Sequence, residues 1–398
     1  MRRRVAVIAL ESIRNIGEAI LAEATEFLIR RACPDVEISR VQFCPGGRGE
    51  TLTQRGRNFL FRRIRWAACR TRGDISFRLL DLAYRIRLNA HFRCALRPVD
   101  SAILAVGMFK YASQDFSYLY DHVARISSHL GCQLMLSATS VAEANAGDWR
   151  FRQLVRALCE KSWRMVTTRD GERGVRLLRD GYGLASSVGT RVVGDPALWL
   201  PELTGVVCTA PVERRFVGVN LVRGGIYETY RGGVTEERLL AVYCDLLAEL
   251  DARGIVWRLF SNGTKSDERF GDLLCARLGI SAEQRLPPPT SVADFARTIV
   301  SFKAVFGARL HACLTAVAFR VPSVWLDWDD KFVRVAEELG YTENLLEPED
   351  LSGLKIVDRL EESMERGFDE TRIGALKEAT AEAIAEFLRL RGTGRYGR

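Results

Sequence analysis

Between Phe306 and Lys331 the chain reads FGARLHACLTAVAFRVPSVWLDWDDK, and two turns in this stretch carry residues suited to chemistry. An apolar strand enters, Gly307 and Ala308 follow, and a helical period begins at or near Arg309. A glycine at a strand-to-helix turn lets the backbone bend and a ligand come close. The helix N-terminus then offers unpaired N–H groups and positive potential to an anion. Arg309 adds a planar guanidinium that suits a carboxylate or phosphate. His311 can transfer a proton near neutral pH, and the other three of the four histidines stand in poorer contexts. Lys331 stands where a second apolar strand, SVWLDW, gives way to the next helix. In a parallel sheet both turns fall on one edge of the domain. Arg309, His311 and Lys331 therefore converge on a site for a small, multiply anionic molecule. The structural alternative is that His311 caps a helix and Arg309 pairs with a nearby aspartate. For three such residues at two neighbouring turns, function is the better reading.

The elements that must position them follow a regular pattern. VAVIAL, a loop ESIRNIG and the helical EAILAEATEFLIRRA form a first β-α unit. SAILAVG, QLMLSAT and MVTTRD are further strands, followed by helices near 115–130, 148–161 and 171–181. Residues 201–215, with two prolines and little periodicity, read as a linker. The pattern restarts with FVGVNLV, and helices are expected near 235–253, 267–278, 291–301, 309–319, 331–339 and 370–390. Strands alternating with helices imply parallel sheets wound on both faces. The expected fold class is α/β, with two doubly wound, Rossmann-like domains facing a cleft. The first spans residues 1–205 and carries a basic helical insert at about 50–97. The second spans 213–370, and a C-terminal helix and tail fill 371–398.

Composition narrows the functional classes. The 398 residues are 47% hydrophobic and 27% charged, which suits a globular chain. No apolar run approaches the ~18–20 residues that cross a bilayer. The N-terminal MRRRVAVIAL imitates a signal peptide, but Glu11 and Arg14 break it, so a cytoplasmic location is expected. Ten cysteines without C-x-x-C spacing argue against a zinc site or disulfide framework, and suggest small buried hydrophobes in a reducing compartment. From Arg55 to Arg97 stand twelve arginines, no lysine and two acids, a net +10 against +8 for the whole chain. This segment mixes Arg with Phe, Trp, Leu and Ile at helical spacing. It suits an anionic membrane surface or an anionic partner, or a solvated helix pair packed on the first domain. No nucleic-acid-binding motif accompanies the charge.

The segment from Arg309 to Lys331 resembles the C-terminal signature of the polysaccharide pyruvyl transferase family: Arg309-Leu310-His311 opening a helix, a strand led by Pro322, then Lys331. Other pieces agree in order. Asn15-Ile16-Gly17-Glu18 resembles the first loop, Thr168-Arg169-Asp170 the "RD" turn, Gly194-Asp195-Pro196 the end of the N-domain, and Gly218-Val219-Asn220 the first strand of the C-domain. The resemblance covers nearly the whole chain except about 45–97. Val106–Phe109, Ser140–Glu143 and Arg320 depart from the family pattern, which has glycine-rich or Gly-Pro turns at the first two and glycine at the third.

This resemblance implies a B-type glycosyltransferase architecture and transfer of the pyruvyl group of phosphoenolpyruvate to a saccharide. By carry-over, Arg169, Arg309, Lys331, Gly307 and Asn220 bind the donor. His311 is the acid/base, with Lys331 and Arg309 beside it in catalysis, and Asn15 and Glu18 face the acceptor; the first domain is the acceptor side and the second binds the donor. No cofactor and no metal are implied; phosphoenolpyruvate is a co-substrate. The family's acceptors are often lipid-linked, so a peripheral contact of residues 55–97 with the inner face of the membrane is a further expectation, and nucleic acid is not a partner. The main rival is a nucleotide-sugar glycosyltransferase. Such enzymes often hold the ribose with a Glu in an E-A-x-x-x-G-x-P pattern, and that Glu position here is Thr315.

Overall fold

The strands Ser101–Ala105, Gln133–Val141 and Ser323–Leu326 are buried along their whole length, as expected where helices cover both faces of a parallel sheet. A computed structural model describes residues 2–10, 15–44, 63–64, 74–111, 116–207, 214–348 and 351–390. The chain forms two compact units. Unit 1 comprises Met1–Ser12, Thr25–Val193 and Ala381–Arg398; unit 2 comprises Ile13–Ala24 and Gly194–Thr380.

Unit 1 contains strands β1 (Arg4–Ala9), β2 (Glu37–Gln42), β3 (Ser101–Ala105), β4 (Met108–Phe109), β5 (Gln133–Val141), β6 (Trp163–Thr168) and β7 (Gly189–Val192). They are ordered β2-β1-β3-β5-β6-β7, with β4 beside β5 and every pairing parallel. Unit 2 contains β8 (Phe216–Asn220), β9 (Trp257–Phe260), β10 (Phe302–Gly307), β11 (Ser323–Leu326) and β12 (Leu345–Leu346), in the parallel order β12-β11-β10-β8-β9. The chain leaves β8 toward one side of this sheet and returns to β10 on the other. That reversal opens a crevice at the carboxyl ends of β8 and β10.

Caps fix where the helices of unit 2 begin. Thr235, Thr264, Ser291 and Ser352 each accept a backbone N–H from the residue three positions on. Each such cap contributes about 1 kcal/mol. β2 and the Gly353–Arg366 helix do not stand out in the sequence: the edge strand EISRVQ holds few apolar residues, and the helix buries only Ile356, Val357 and Leu360 among its large apolar side chains.

The first-domain boundary lies earlier than 205. Residues 194–204 belong to unit 2, and the expected linker holds the Leu200–Thr204 helix. Gly194 donates its N–H to Leu376 O at 2.9 Å, and the Thr380 hydroxyl donates to Gly194 O at 2.8 Å. Leu198 and Leu200 are buried in the unit 2 core. The C-terminal helix Glu370–Arg389 is likewise not a separate region, since its residues divide between the two units. The first helix, Ile16–Ala32, divides the same way, which assigns Asn15-Ile16-Gly17-Glu18 to unit 2.

The amphipathic period of the basic insert is present in the Asp74–Leu96 helix, but its apolar stripe is not a surface feature. Tyr84, Leu88, Phe92 and Leu96 are buried in the unit 1 core, and Tyr84 stacks on Tyr118 with ring centres 4.3 Å apart. Arg85, Arg93 and Arg97 face solvent. The remainder of the insert, apart from residues 63–64, lies outside the described residues up to Asp74. The helix packs on a polar network. Arg85 pairs with Asp81 at 2.7 Å, Arg156 holds Asp121 in a two-pronged contact at 3.0 and 2.8 Å, and Arg125 donates to His122 Nδ1 at 2.8 Å. Burial, with Arg125, Arg85 and Arg156 nearby, pushes the His122 pKa down to about 3. The cysteines are less buried than expected: of the eight described, all free thiols, only Cys132 and Cys313 are buried, because most others sit on outer helix faces or loops.

Candidate functional site

The crevice of unit 2 is built on Asn220, the last residue of β8. Its buried carboxamide donates to Asn262 Oδ1 at 3.1 Å and accepts the Ala308 N–H at 3.3 Å. Asn262 in turn accepts the Ile16 N–H at 2.9 Å through its carbonyl. One side chain thus ties the ends of β8, β9 and β10 together, and the tie extends to the start of the first helix. Asn220 was expected to touch the donor. In the structure its amide is occupied in holding the turns that carry the other residues.

Arg309 occupies the cap position before the Leu310–Ala318 helix. Its Nε donates to Asp267 Oδ2 at 3.0 Å, and its Nη2 bonds Asp267 Oδ1. The Asp267 side chain is fully buried and also accepts the Arg223 N–H at 2.8 Å. The aspartate pairing weighed from the sequence is therefore present. It occupies one edge of the guanidinium and leaves Nη1 open among the described residues, with the side chain 17% exposed. Lys331 opens the Lys331–Leu339 helix. Its Nζ lies 3.6 Å from Asp329 Oδ2 and 4.4 Å from the Trp328 ring centre. The Arg309 guanidinium lies 5.8 Å from the same ring, and the indole N–H donates to Ala308 O at 2.8 Å. Trp328 therefore brings the two cations of the two turns to one ring, where the negative face of the π-system favours positive charge. Neighbouring Asp327 holds Arg231, and burial raises its pKa against that partner's pull.

His311 lies in the first turn of the helix capped by Arg309. Its Nε2 is 3.9 Å from Asp195 Oδ2, and the Asp195 side chain is fully buried. Asp195 Oδ1 accepts the Ala197 N–H at 2.8 Å, which fixes the carboxylate. On the other side the imidazole lies against Gly17, where a Cβ would come within 2.8 Å of His311 Cγ and overlap the ring. The glycine of the Asn15–Glu18 loop is thus required by the histidine of the signature. Asn15 caps the first helix by accepting the Gly17 N–H at 3.1 Å. Glu18, one turn in, is nearly buried. The Thr315 hydroxyl is buried and donates to His311 O at 2.5 Å.

Two glycine positions have reasons the sequence does not display. The space beside Gly307 is filled by Cys313 Sγ, so this glycine lets strand and helix pack closely rather than admitting a ligand. Arg320 has φ of 55°, a left-handed conformation that favours glycine. Its guanidinium donates to Val317 O at 2.8 Å and Ala318 O at 3.1 Å and pairs with Glu370 at 2.6 Å, which offsets the strain.

Arg169, in unit 1, follows β6. It donates to Gly107 O at 2.8 Å and Ser140 Oγ at 3.1 Å, and is 3% exposed. Asp81, Asp121 and His122, also in unit 1, bring ligand atoms within 4.8 Å of one another. Their carboxylates hold arginines and the imidazole accepts from Arg125, so they form a polar network rather than a metal cradle. The residues missed at the sequence level are Asp267, Asp329, Trp328 and Gly17. The run Asp327–Asp330 before Lys331 was the one local signal for two of them.

Residues 15–330 match the family described as polysaccharide pyruvyl transferase. The chain belongs to the polysaccharide pyruvyl transferase family. The match takes in Asn15, Glu18, Arg169, Asn220, Gly307, Arg309 and His311, and ends one residue before Lys331. No curated protein matches the chain. This pyruvyl transferase family member shares its fold with sugar-nucleotide enzymes. UDP-GlcNAc 2-epimerase from Methanocaldococcus jannaschii is 11% identical, with a TM-score of 0.57 over 98% of this chain and 99% of that one. An α,α-trehalose-phosphate synthase (UDP-forming) from Burkholderia vietnamiensis is 13% identical, with a TM-score of 0.53 over 97% and 98%. At these identities the likeness establishes the two-domain architecture of B-type glycosyltransferases.

Proposed function

We propose that the protein transfers the pyruvyl group of phosphoenolpyruvate to two hydroxyls of a saccharide and releases phosphate. The observation that carries this reading is Arg309 and Lys331 sharing the Trp328 ring at the carboxyl edge of the unit 2 sheet, with His311 one helical turn away. A small molecule bearing a carboxylate and a phosphate calls for two cations and a proton donor. Arg309 takes one anionic group through its open Nη1 edge. His311 protonates C3, making C2 electrophilic, and a saccharide hydroxyl adds there and loses its proton. The C2–O bond to phosphate then breaks, with Lys331 stabilising the departing charge. A second hydroxyl adds to C2; its proton balances the protonated phosphate, and a cyclic ketal results. Asp195 orients the imidazole.

The fold also suits nucleotide-sugar transfer. Against that rival, Thr315 stands where a ribose-binding acid belongs, and its hydroxyl is buried against the helix backbone. The acceptor is proposed to be a cell-envelope saccharide, lipid-linked and met at the inner membrane face. Among the described residues no helix is long and apolar enough to cross a membrane; the Tyr84–Leu96 stripe is buried, and Arg63, Arg85, Arg93 and Arg97 are the exposed cations among the described residues of the insert. Incubation with phosphoenolpyruvate and envelope saccharides should release phosphate. Absence of release with every acceptor, together with binding of a UDP-sugar, would overturn the reading. Vesicle binding that survives neutralisation of residues 55–97 would remove the membrane contact.

A further inference from the structure

We propose that unit 2 carries a second ligand site, which takes an acidic saccharide of about disaccharide size. The inference rests on the reading that the protein modifies a saccharide, and it names the acceptor class. Beside the start of the first helix lies a cavity of about 830 Å³. That is far more than a three-carbon phosphate fills, and is within the range of about 300–1,000 Å³ typical of sites for larger ligands. Ile16, Ala19, Pro288 and Pro289 line it, apolar surfaces that suit the faces of sugar rings. Asn15 and Asn262 also line it. The Ile16 N–H to Asn262 O bond and the Asn220–Asn262 bond join this wall to the turn that carries Arg309, so the cavity shares a frame with the proposed donor site.

Charge gives the ligand its class. Lys265 and Arg269 line the cavity one turn apart on the Lys265–Leu278 helix, and both are exposed. Among the described residues neither side chain has an ion-pair or hydrogen-bond partner. The acid between them, Glu268, is engaged by Arg285 at 2.9 Å and by the Ser261 hydroxyl. Lys265 is the first residue of its helix, where the macrodipole favours acids and opposes cations. Like charges four residues apart repel as well. Two cations without a partner among the described residues, near the positive end of a helix, are unfavourable for the ligand-free protein and become favourable once an anion lies between them. A phosphate or carboxylate on the saccharide meets that requirement.

Calorimetric titration of the purified protein with cellobiose 1-phosphate, cellobiuronic acid, cellobiose and phosphoenolpyruvate tests this. At least one acidic disaccharide should bind about tenfold or more tightly than cellobiose, a step of one charge-assisted contact. Tighter binding of the phosphate assigns a phosphoryl ligand, and tighter binding of the uronate a carboxylate. The double substitution Lys265→Ala/Arg269→Ala should abolish the preference, leave phosphoenolpyruvate affinity unchanged, and raise the unfolding midpoint of the ligand-free protein. Equal binding of acidic and neutral sugars overturns the proposal. So does loss of phosphoenolpyruvate affinity in the double variant, which would assign the pair to the donor, or a lowered unfolding midpoint, which would make the cations structural. Failure of phosphate release would remove the transferase reading while leaving these binding results interpretable.

Discussion

The two parallel sheets end in contrasting ways. At the carboxyl edge of the unit 1 sheet the arginine of the signature turn, Arg169, bonds a backbone carbonyl and a serine hydroxyl. At the corresponding edge of unit 2 the cations stand against acids: Arg309 on Asp267, Lys331 on Asp329, Arg231 on Asp327, and His311 facing Asp195. Burying a guanidinium against neutral acceptors anchors loops. Backing it with a buried carboxylate aims it while leaving an edge exposed. At the unit 1 edge Glu143, which pairs with Arg173, is exposed, whereas the acids behind the unit 2 cations are buried, and that burial separates the two edges.

The largest test of this contrast is His311→Ala. Phosphate release should fall by about a thousandfold or more, the scale of a lost general acid, while the unfolding midpoint stays nearly constant. A variant that remains active would move the acid/base role elsewhere. Asp267→Ala strips the backing from Arg309 and should destabilise the protein by about 3–5 kcal/mol in denaturant unfolding, because the guanidinium loses its buried partner. A loss below about 1 kcal/mol would mean that the acid neither anchors nor aims it.

Unit 1 offers a test by pH. The folded pKa of His122, about 3, lies below the ordinary 6.5, so the unfolded chain takes up a proton that the folded one refuses. Stability from this group is complete above about pH 6.5 and declines as the pH falls toward 3, by up to a few kcal/mol. His122→Leu should flatten that part of the stability–pH curve, and an unchanged slope would show that other groups produce it. The smallest effect is expected at Arg320. Arg320→Gly relieves a left-handed residue but loses its contacts to Val317, Ala318 and Glu370, so stability should change by less than about 1 kcal/mol. Arg320→Val keeps the strain without the contacts and should destabilise by more, as thermal unfolding would reveal.

Much of the site is legible along the chain, because β-α units write themselves as apolar runs followed by helical periods. Arg309 and His311 stand at a strand-to-helix turn that the sequence marks, and the Leu310–Ala318 and Lys331–Leu339 helices begin where that pattern places them. Other features need distance. Asp267 lies 42 residues from Arg309, and its own segment reads only as the first turn of a helix. Gly17 reads as one position of a helix-capping loop until the imidazole of His311 is found against it. Gly307 invites a ligand on paper, yet its space belongs to Cys313.

The sequence by itself determined the architecture, the family and the residue types at the strand ends, because local periodicity and turn chemistry are encoded within a few residues. Only the tertiary structure decided which acid stands behind which cation, that the Asn15–Glu18 loop belongs to unit 2, and that the Tyr84–Leu96 stripe is core. Those outcomes depend on contacts between residues far apart in the chain, where burial fixes a partner that spacing does not name.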